Sequence, residues 1–274
     1  MKFIEKLHSS ELDRPLVMGI LNVTPDSFSD GGQYAILDKI KSRVEHMQAV
    51  GVDVVDIGGE STRPGAEHVS LDEELNRVLP VVEWVKQETE LSISVDTYKT
   101  EVMREVIRLG VDLINDINAL QADGAEALLS ASDVAVCLMH KQGDPQSMQE
   151  NPVYQNVFEE VFDFLAVRVK SCQESGIRSE NILVDPGFGF GKSLAHNVEL
   201  FEQLEDFSAL NYPLLIGVSR KRMIGDLLGG VSVEKRLFGS VSAAVVAAMK
   251  GARVIRVHDY EESIDALKVM HALL

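Results

Sequence analysis

One pattern recurs along the chain: an amphipathic run, a glycine, then a short β-branched run ending in polar residues. From Ile36 to Val50 the apolar residues Ile36, Ile40, Val44 and Met47 form a helical stripe, and Gly51 follows as its stop. Val52-Asp53-Val54-Val55-Asp56-Ile57 then reads as a buried strand. The helix Glu101 to Leu109 stops at Gly110 and yields Val111-Asp112-Leu113-Ile114-Asn115. A third copy runs through Ala243 to Lys250, Gly251, and Arg253-Val254-Ile255-Arg256-Val257-His258. Another helix opens with Ser70 and Glu73 in capping-box spacing.

Taken together, these runs predict eight strands: Val17–Asn22, Val52–Gly58, Ile93–Thr97, Leu113–Ile117, Val134–His140, Ile182–Asp185, Leu214–Ser219 and Val254–His258. Helical patterns separate most of them. Eight parallel strands covered on both faces make a closed barrel or a doubly wound sheet. The count and a mean spacing of about 34 residues favour the α/β class and, within it, the (β/α)8 or TIM barrel. A length of 274 residues suits one such barrel. No linker-like or low-complexity stretch divides it, so residues 1–274 read as a single domain. Leu7 to Val17 reads neither helical nor barrel-like, and a short N-terminal hairpin is expected there.

In a barrel of this kind the site lies at the carboxyl ends of the strands. Those ends carry Asn22, Asp56, Asp96, Asn115, His140, Asp185, Lys221, Arg256 and His258. Counting five residues on from Gly51, Gly110 and Gly251 gives Asp56, Asn115 and Arg256, which occupy equivalent positions; alternation puts His258 on the same side as Arg256. Asp116 falls on the opposite face, so Asn115 is expected to be functional and Asp116 structural. One polar residue at a strand end is commonly a cap or a loop hydrogen bond. A ring of them, with a lysine among several carboxylates, must be solvated or paired and points to a site.

Some motifs mislead. Asp185-Pro186-Gly187-Phe188-Gly189-Phe190-Gly191-Lys192-Ser193 looks like a phosphate loop, but the first glycine of that motif falls on Pro186. It also fails the dinucleotide fingerprint, because Lys192 takes the third glycine position. His140, His196 and His258 lack metal-triad spacing, so protein-held zinc is not expected and structural or surface roles suit His140 and His196.

The formal net charge of −17 argues against nucleic acid and anionic membranes as partners. Anionic substrates would then need a local cationic island. Met1 to Ser10 contains no sustained apolar run, and Val241 to Ala248 is too short to span a bilayer, so neither a signal peptide nor a membrane span is expected. Cys137 and Cys172 stand far apart in no metal or redox spacing and read as reduced structural thiols of a cytoplasmic protein.

Longer strings carry a family resemblance. Asn22-Val23-Thr24-Pro25-Asp26-Ser27-Phe28-Ser29-Asp30-Gly31-Gly32 closely resembles the first signature loop of dihydropteroate synthases, and Gly58-Gly59-Glu60-Ser61-Thr62-Arg63-Pro64-Gly65 resembles their second. Asp96-Thr97, Asn115-Asp116, the Asp185 to Lys192 run, Ser219-Arg220-Lys221 and Arg256-Val257-His258 follow in family order. The resemblance spans essentially the whole chain. It implies a transferase of folate synthesis that joins 6-hydroxymethyl-7,8-dihydropterin pyrophosphate to p-aminobenzoate. It also implies a dissociative displacement of pyrophosphate, sulfonamides as inhibitors, and a homodimer formed through helices late in the barrel.

The resemblance also implies residue roles. Asp185 accepts the guanidine-like edge of the pterin, as a carboxylate would accept an arginine. Asp96 and Asn115 contact the remaining ring nitrogens, Lys221 the carbonyl and adjoining nitrogen, and Arg256 stacks on the ring face. Met139 and Phe190 line the slot. Asp96, Asp185 and Lys221 are the catalytic set. Pyrophosphate falls to Asn22, Thr62, Arg63, Arg256 and His258, with a magnesium ion held partly by Asn22. p-Aminobenzoate falls to Phe28, Thr62, Pro64, Gly189, Lys221 and Arg222, under two loops that read as lids.

Two positions depart from the family: Tyr98 and Arg222 stand where serine is often found. The second lies where the p-aminobenzoate carboxylate should rest, so Arg222 either donates a charged hydrogen bond there or faces solvent. Three rival readings share the barrel: a methyltetrahydrofolate-binding methyltransferase domain, a non-catalytic pterin-binding module, and a phosphosugar isomerase or aldolase. The first two have no need of both loops, and the third finds no supporting lysine or glutamate pattern.

Overall fold

The computed structural model describes residues 3–24, 33–61, 68–144 and 148–274. Among them eight parallel strands alternate with helices. The order is α1 (Phe3–His8), β1 (Leu16–Asn22), α2 (Gln33–Val50), β2 (Val54–Gly58), α3 (Leu71–Glu88), β3 (Ser92–Asp96), α4 (Thr100–Leu109), β4 (Leu113–Asp116) and α5 (Ala125–Ser130). It continues with β5 (Ala135–Met139), α6 (Val157–Glu174), β6 (Ile182–Asp185), α7 (Leu194–Glu202), β7 (Leu215–Ile216), α8 (Arg222–Leu227), α9 (Leu237–Met249), β8 (Val254–Val257) and α10 (Tyr260–Leu273). The sheet runs β6-β5-β4-β3-β2-β1-β8-β7. A parallel bridge between Val184 and Leu214 brings β7 against β6 and closes the ring into a barrel.

Alternation along each strand separates two cores. Leu16, Met18, Val54, Leu113, Ala135, Cys137, Leu183, Leu215 and Val254 fill the barrel interior. Their neighbours, among them Val17, Val55, Ile114, Val136, Val184 and Ile255, pack outward against the helices. Both faces of the strands are therefore buried, which is why the strands read as continuous β-branched runs. α4 ends where Gly110 adopts φ +82° and its N–H returns to Ile107 O, as the glycine stop predicts. α3 is capped by Ser70, whose Oγ accepts from Glu73 N at 3.3 Å, but Glu73 turns its carboxylate to Arg77.

Two expectations need correction. Among the described residues no hairpin precedes β1: the chain forms the six-residue helix α1 and then runs without helix or strand from Ser9 to Pro15. Phe3 and Leu7 on one face of α1 are almost fully buried in the floor of the barrel, where each gains about 1.5–3 kcal/mol by leaving water. Arg253 donates to the carbonyls of Lys6 (2.9 Å), Leu7 (2.6 Å) and Ser9, satisfying the open C-terminal end of the helix. β7 spans two residues rather than six. After Ile216 the chain leaves the ladder, Lys221 N turns back to Val218 O, and Arg220 takes a positive φ of 57°. That turn carries Ser219, Arg220 and Lys221 into the barrel mouth.

Cys137 and Cys172 are free and buried, and burial pushes both thiols up, Cys172 to about 12. Among the described residues no helix is long and apolar enough to cross a membrane.

Candidate active site

Inward-facing positions at the upper end of four strands build a charged layer above the apolar interior. Arg256 of β8 donates through Nε to Asp56 Oδ2 of β2 (2.6 Å) and through Nη2 to Asp96 Oδ2 of β3 (2.7 Å). Asp56 also accepts from Ser94 Oγ (2.6 Å) and Asn115 Nδ2 (3.3 Å). The three residues counted from the glycines are thus joined through Asp56, which accepts from both Asn115 and Arg256. Asp56, fully buried, holds donors on both oxygens and acts as the anchor of Arg256. Asp96 differs: its Oδ1 is buried without a hydrogen-bond partner among the described residues. Such an atom costs free energy unless a ligand supplies the donor. Asp96 stands beside Asn115 in the ladder, so both face the same space.

Burial lifts the Asp96 carboxyl to about 7, with Arg256 opposing the rise and Asp56, Asp116 and Glu74 adding to it. Asp116 points the other way, as alternation requires. Its two oxygens accept from Asn118 N (2.7 Å) and Leu120 N (2.8 Å), fixing the turn after β4.

The opposite wall is built by the ends of β5, β6 and β7. Asp185 is buried and accepts through Oδ1 from Gly187 N at 2.7 Å. Burial raises its carboxyl, with Lys221 as the chief opposing charge. Lys221 Nζ donates to Phe188 O and lies 4.5 Å above the Phe190 ring. Burial lowers this lysine to about 8. Gly189 favours glycine: its φ is +79°, and an added Cβ would sit 3.3 Å from Lys221 Cδ. Met139 is buried at the end of β5, level with Asp185.

At the rim, Asn22 ends β1 beside Gly58, and His258 Nδ1 lies 3.2 Å from Ser219 Oγ. Arg222 borders the same space, yet its side chain is 82% exposed and its Nε lies 3.4 Å from Asp226 one turn on. Of the two alternatives for Arg222, the outward one is seen. Phe28, Thr62, Arg63 and Pro64, with most of the first signature loop and half of the second, lie outside the described residues.

Other polar residues escape sequence reasoning. Lys99 Nζ is held by Glu60 (2.5 Å), Glu74 (2.5 Å) and Val69 O (2.7 Å). Tyr98 OH donates to Glu60 at 3.0 Å, and His68 Nδ1 lies 3.2 Å from the same hydroxyl. The two carboxylates hold Lys99 above its ordinary value against the pull of burial. Tyr98 therefore belongs to a network at the stem of the second loop. No local pattern joins its members, because Glu60 follows β2, Glu74 lies in α3 and Lys99 follows β3. His196 caps α7 together with Ser193, and His140 lies buried against Lys192 (2.9 Å). Both histidines are structural in this sense.

A cavity of about 900 Å³ opens over this layer, reaching from Asn22, Glu60 and Asp96 to Phe190, Lys221, Arg256 and His258. Its described lining holds six lysines and arginines against three carboxylates. On a chain of net charge −17 this is the cationic island that anionic ligands require.

Comparison with known proteins agrees with this architecture. The family profile described as pterin binding enzyme matches residues 18–258. The dihydropteroate synthase of Escherichia coli K12 is 50% identical over 275 residues, covering 100% of this chain and 97% of that protein. The Yersinia pestis dihydropteroate synthase, solved in complex with a sulfonamide drug, superposes with a TM-score of 0.90 at 48% identity, covering 96% of this chain and 95% of that one. The Xanthomonas albilineans dihydropteroate synthase, solved with 7,8-dihydropteroate, gives a TM-score of 0.86 at 43% identity over 95% of this chain and 94% of that one. A barrel of eight parallel strands, a charged layer at its mouth and full-length relatives of one kind together establish that this chain belongs to the pterin-binding enzyme family, among the dihydropteroate synthases.

Proposed function

We propose that this chain condenses 6-hydroxymethyl-7,8-dihydropterin pyrophosphate with p-aminobenzoate, giving 7,8-dihydropteroate and pyrophosphate for folate synthesis. The observation that carries the reading is the buried Asp96 Oδ1, which no group among the described residues satisfies, facing the same space as Asn115. A pterin edge presents the N–H donors that such a carboxylate needs. Asp185 takes the amino and N–H edge, Asp96 and Asn115 the other ring nitrogens, and Lys221 the carbonyl. Met139, Gly189 and Phe190 shape the slot, and Arg256 holds one face.

The aryl amine is a weak nucleophile, so departure of pyrophosphate limits the reaction more than deprotonation does. Asp96 and Asp185 place negative charge around a heterocycle that becomes cationic as the C–O bond breaks. Arg63, Arg256 and His258 receive the leaving pyrophosphate, and Arg222 or the backbone before α8 receives the p-aminobenzoate carboxylate. Asn22 offers one neutral oxygen. Among the described residues no group of three or more His, Cys, Asp or Glu could hold an ion by protein ligands alone. That donor set fits magnesium, which keeps its waters and shares phosphate oxygens. When bound there, the ion would neutralise phosphate charge.

Sulfonamides are proposed as inhibitors, in line with the complex of the Yersinia pestis relative. Two buried free thiols accord with the cytoplasm. Exposed Phe238, Val246 and Met249 on α9, with Val269 and Leu273 on α10, favour a homodimer through these helices. A methyltetrahydrofolate-binding domain or a non-catalytic module would also use the ring-binding carboxylates, but the full-length relatives are synthases. Mixing the purified protein with both substrates and magnesium should release dihydropteroate and pyrophosphate; absence of product from folded protein would overturn this reading.

The raised Asp96 carboxyl gives a pH test. Its folded value of about 7 lies above the unfolded one, so the folded protein carries an extra proton between about pH 4 and 7. Ionising Asp96 therefore costs folding stability as pH rises through that window. Only the ionised form accepts ring N–H groups without competition, so pterin binding below pH 7 should release a proton. Affinity is expected to rise about tenfold per pH unit and then level off near 7. Calorimetry in two buffers of different ionisation heat measures both quantities, and pH-independent affinity without proton release would contradict it.

A further inference from the structure

Lys192 is 2% exposed, and among the described residues it forms no ion pair with a carboxylate. Its Nζ lies 2.9 Å from Gly187 O, 3.1 Å from Phe190 O and 2.9 Å from His140 Nδ1. A buried ammonium without a counter-ion is costly, and burial accordingly lowers this lysine well below its ordinary value. The compensation it receives is two carbonyls of one loop, three residues apart.

That loop, 186–191, is held from every side. Gly187 N donates to Asp185 Oδ1 and Gly189 N to Asn197 Oδ1, both at 2.7 Å. Tyr154 OH donates to Gly191 O at 2.9 Å, and Gln149 donates to Gly189 O. A Cβ at Gly187 would fall 1.8 Å from His140 O, so the loop presses directly on the end of β5. Lys192 grips carbonyls 187 and 190. Lys221 takes the carbonyl between them, Phe188 O, and rests on the ring of Phe190. One short peptide is therefore clasped by two lysines, Lys192 almost fully buried and Lys221 beside the Phe190 ring.

We infer that Lys192 is a positioning residue for the proposed reaction: by fixing the Phe188 carbonyl and the Phe190 ring, it aims the ammonium of Lys221 at the pterin. The inference rests on the pterin site proposed above. Lys221 is faced by Asp185 of β6, Asp96 of β3 and Arg256 of β8, and burial holds it near 8. Without the clasp its ammonium would swing toward the open cavity and regain water, so its pKa would rise toward that of an ordinary lysine.

The test is calorimetric binding of 6-hydroxymethyl-7,8-dihydropterin from about pH 7 to 10. Wild type, Lys192→Met, Lys221→Met and the double variant are compared. Lys192→Met should bind about tenfold or more weakly than wild type, with the alkaline loss of binding moved to higher pH. In the Lys221→Met background the same change should cost little more, because the two act in series. Losses that multiply, or a folded Lys192→Met variant with unchanged affinity and alkaline limb, would overturn the inference. If the methionine variant does not fold, Lys192→Gln, which keeps donors on a shorter side chain, should show the same shift at a smaller size; a melting-temperature loss alone would mark Lys192 as merely structural. Wild-type protein that fails to bind the pterin would defeat the proposed function itself, a result distinct from these.

Discussion

Replacing Arg256 with methionine is expected to destabilise the folded protein by about 3–5 kcal/mol at pH 8, because a buried guanidinium that serves two carboxylates is removed. Asp56 keeps Ser94 and Asn115 as donors, so its loss is partial. Among the described residues Asp96 loses the one hydrogen bond its side chain makes, and it must either stay ionised in a buried site or bind a proton. Its carboxyl, already raised to about 7, should rise further. The destabilisation should consequently shrink as pH falls below 7, where protonation relieves the unpaired charge. Urea unfolding at pH 6 and 8 measures the difference. Catalytic efficiency should fall by about a hundredfold or more, since the pterin pocket loses its wall and the leaving group a cation. Lysine at this position should not restore it, because one ammonium cannot span Asp56 and Asp96 as the planar guanidinium does. A stability loss under about 1 kcal/mol at pH 8 would contradict the role given to this arginine.

Asp185→Asn should weaken pterin binding by about 2–4 kcal/mol while leaving the fold nearly as stable as before. The asparagine keeps an oxygen where Oδ1 accepts from Gly187 N, so the 186–191 loop stays anchored. What it loses is charge and one acceptor, replaced by an amide donor that opposes the ring N–H. Lys221 also loses the carboxylate that raises its pKa most, so its own pKa should fall below the present value of about 8. Calorimetry on the folded variant separates the two effects, and unchanged affinity would place the pterin elsewhere.

Much of the fold was legible in order along the chain. Parallel barrel strands are buried on both faces, so Val54-Val55, Ile114, Val136-Cys137-Leu138 and Val254-Ile255 read as apolar runs whatever their partners. Gly51, Gly110 and Gly251 marked the helix-to-strand turns because the left-handed conformation there is a local property. The count from those glycines also singled out Asp56, Asn115 and Arg256, since alternation alone decides which face a strand residue takes. Asp116 was assigned to the outer face for the same reason, and its bonds to Asn118 and Leu120 lie there.

Tertiary structure decided the rest. α1 was unreadable because six residues make too short a period, and Phe3 and Leu7 have a reason to be helical only against the barrel floor. β7 shrank to two residues because the chain after Ile216 is drawn away to place Lys221, a demand set by β6 and its loop. The Gly-rich run ending in Lys192 resembled a phosphate loop, and only folding shows its lysine turned inward onto carbonyls of its own loop. Glu60, Glu74 and Lys99 lie too far apart in sequence for any local pattern to join them. Asp56 and Asp96 were equally visible as strand ends, yet only the geometry separates the saturated carboxylate from the one with a free oxygen. Local sequence sets which side chains face inward; which donors reach them depends on strands brought together from opposite ends of the chain.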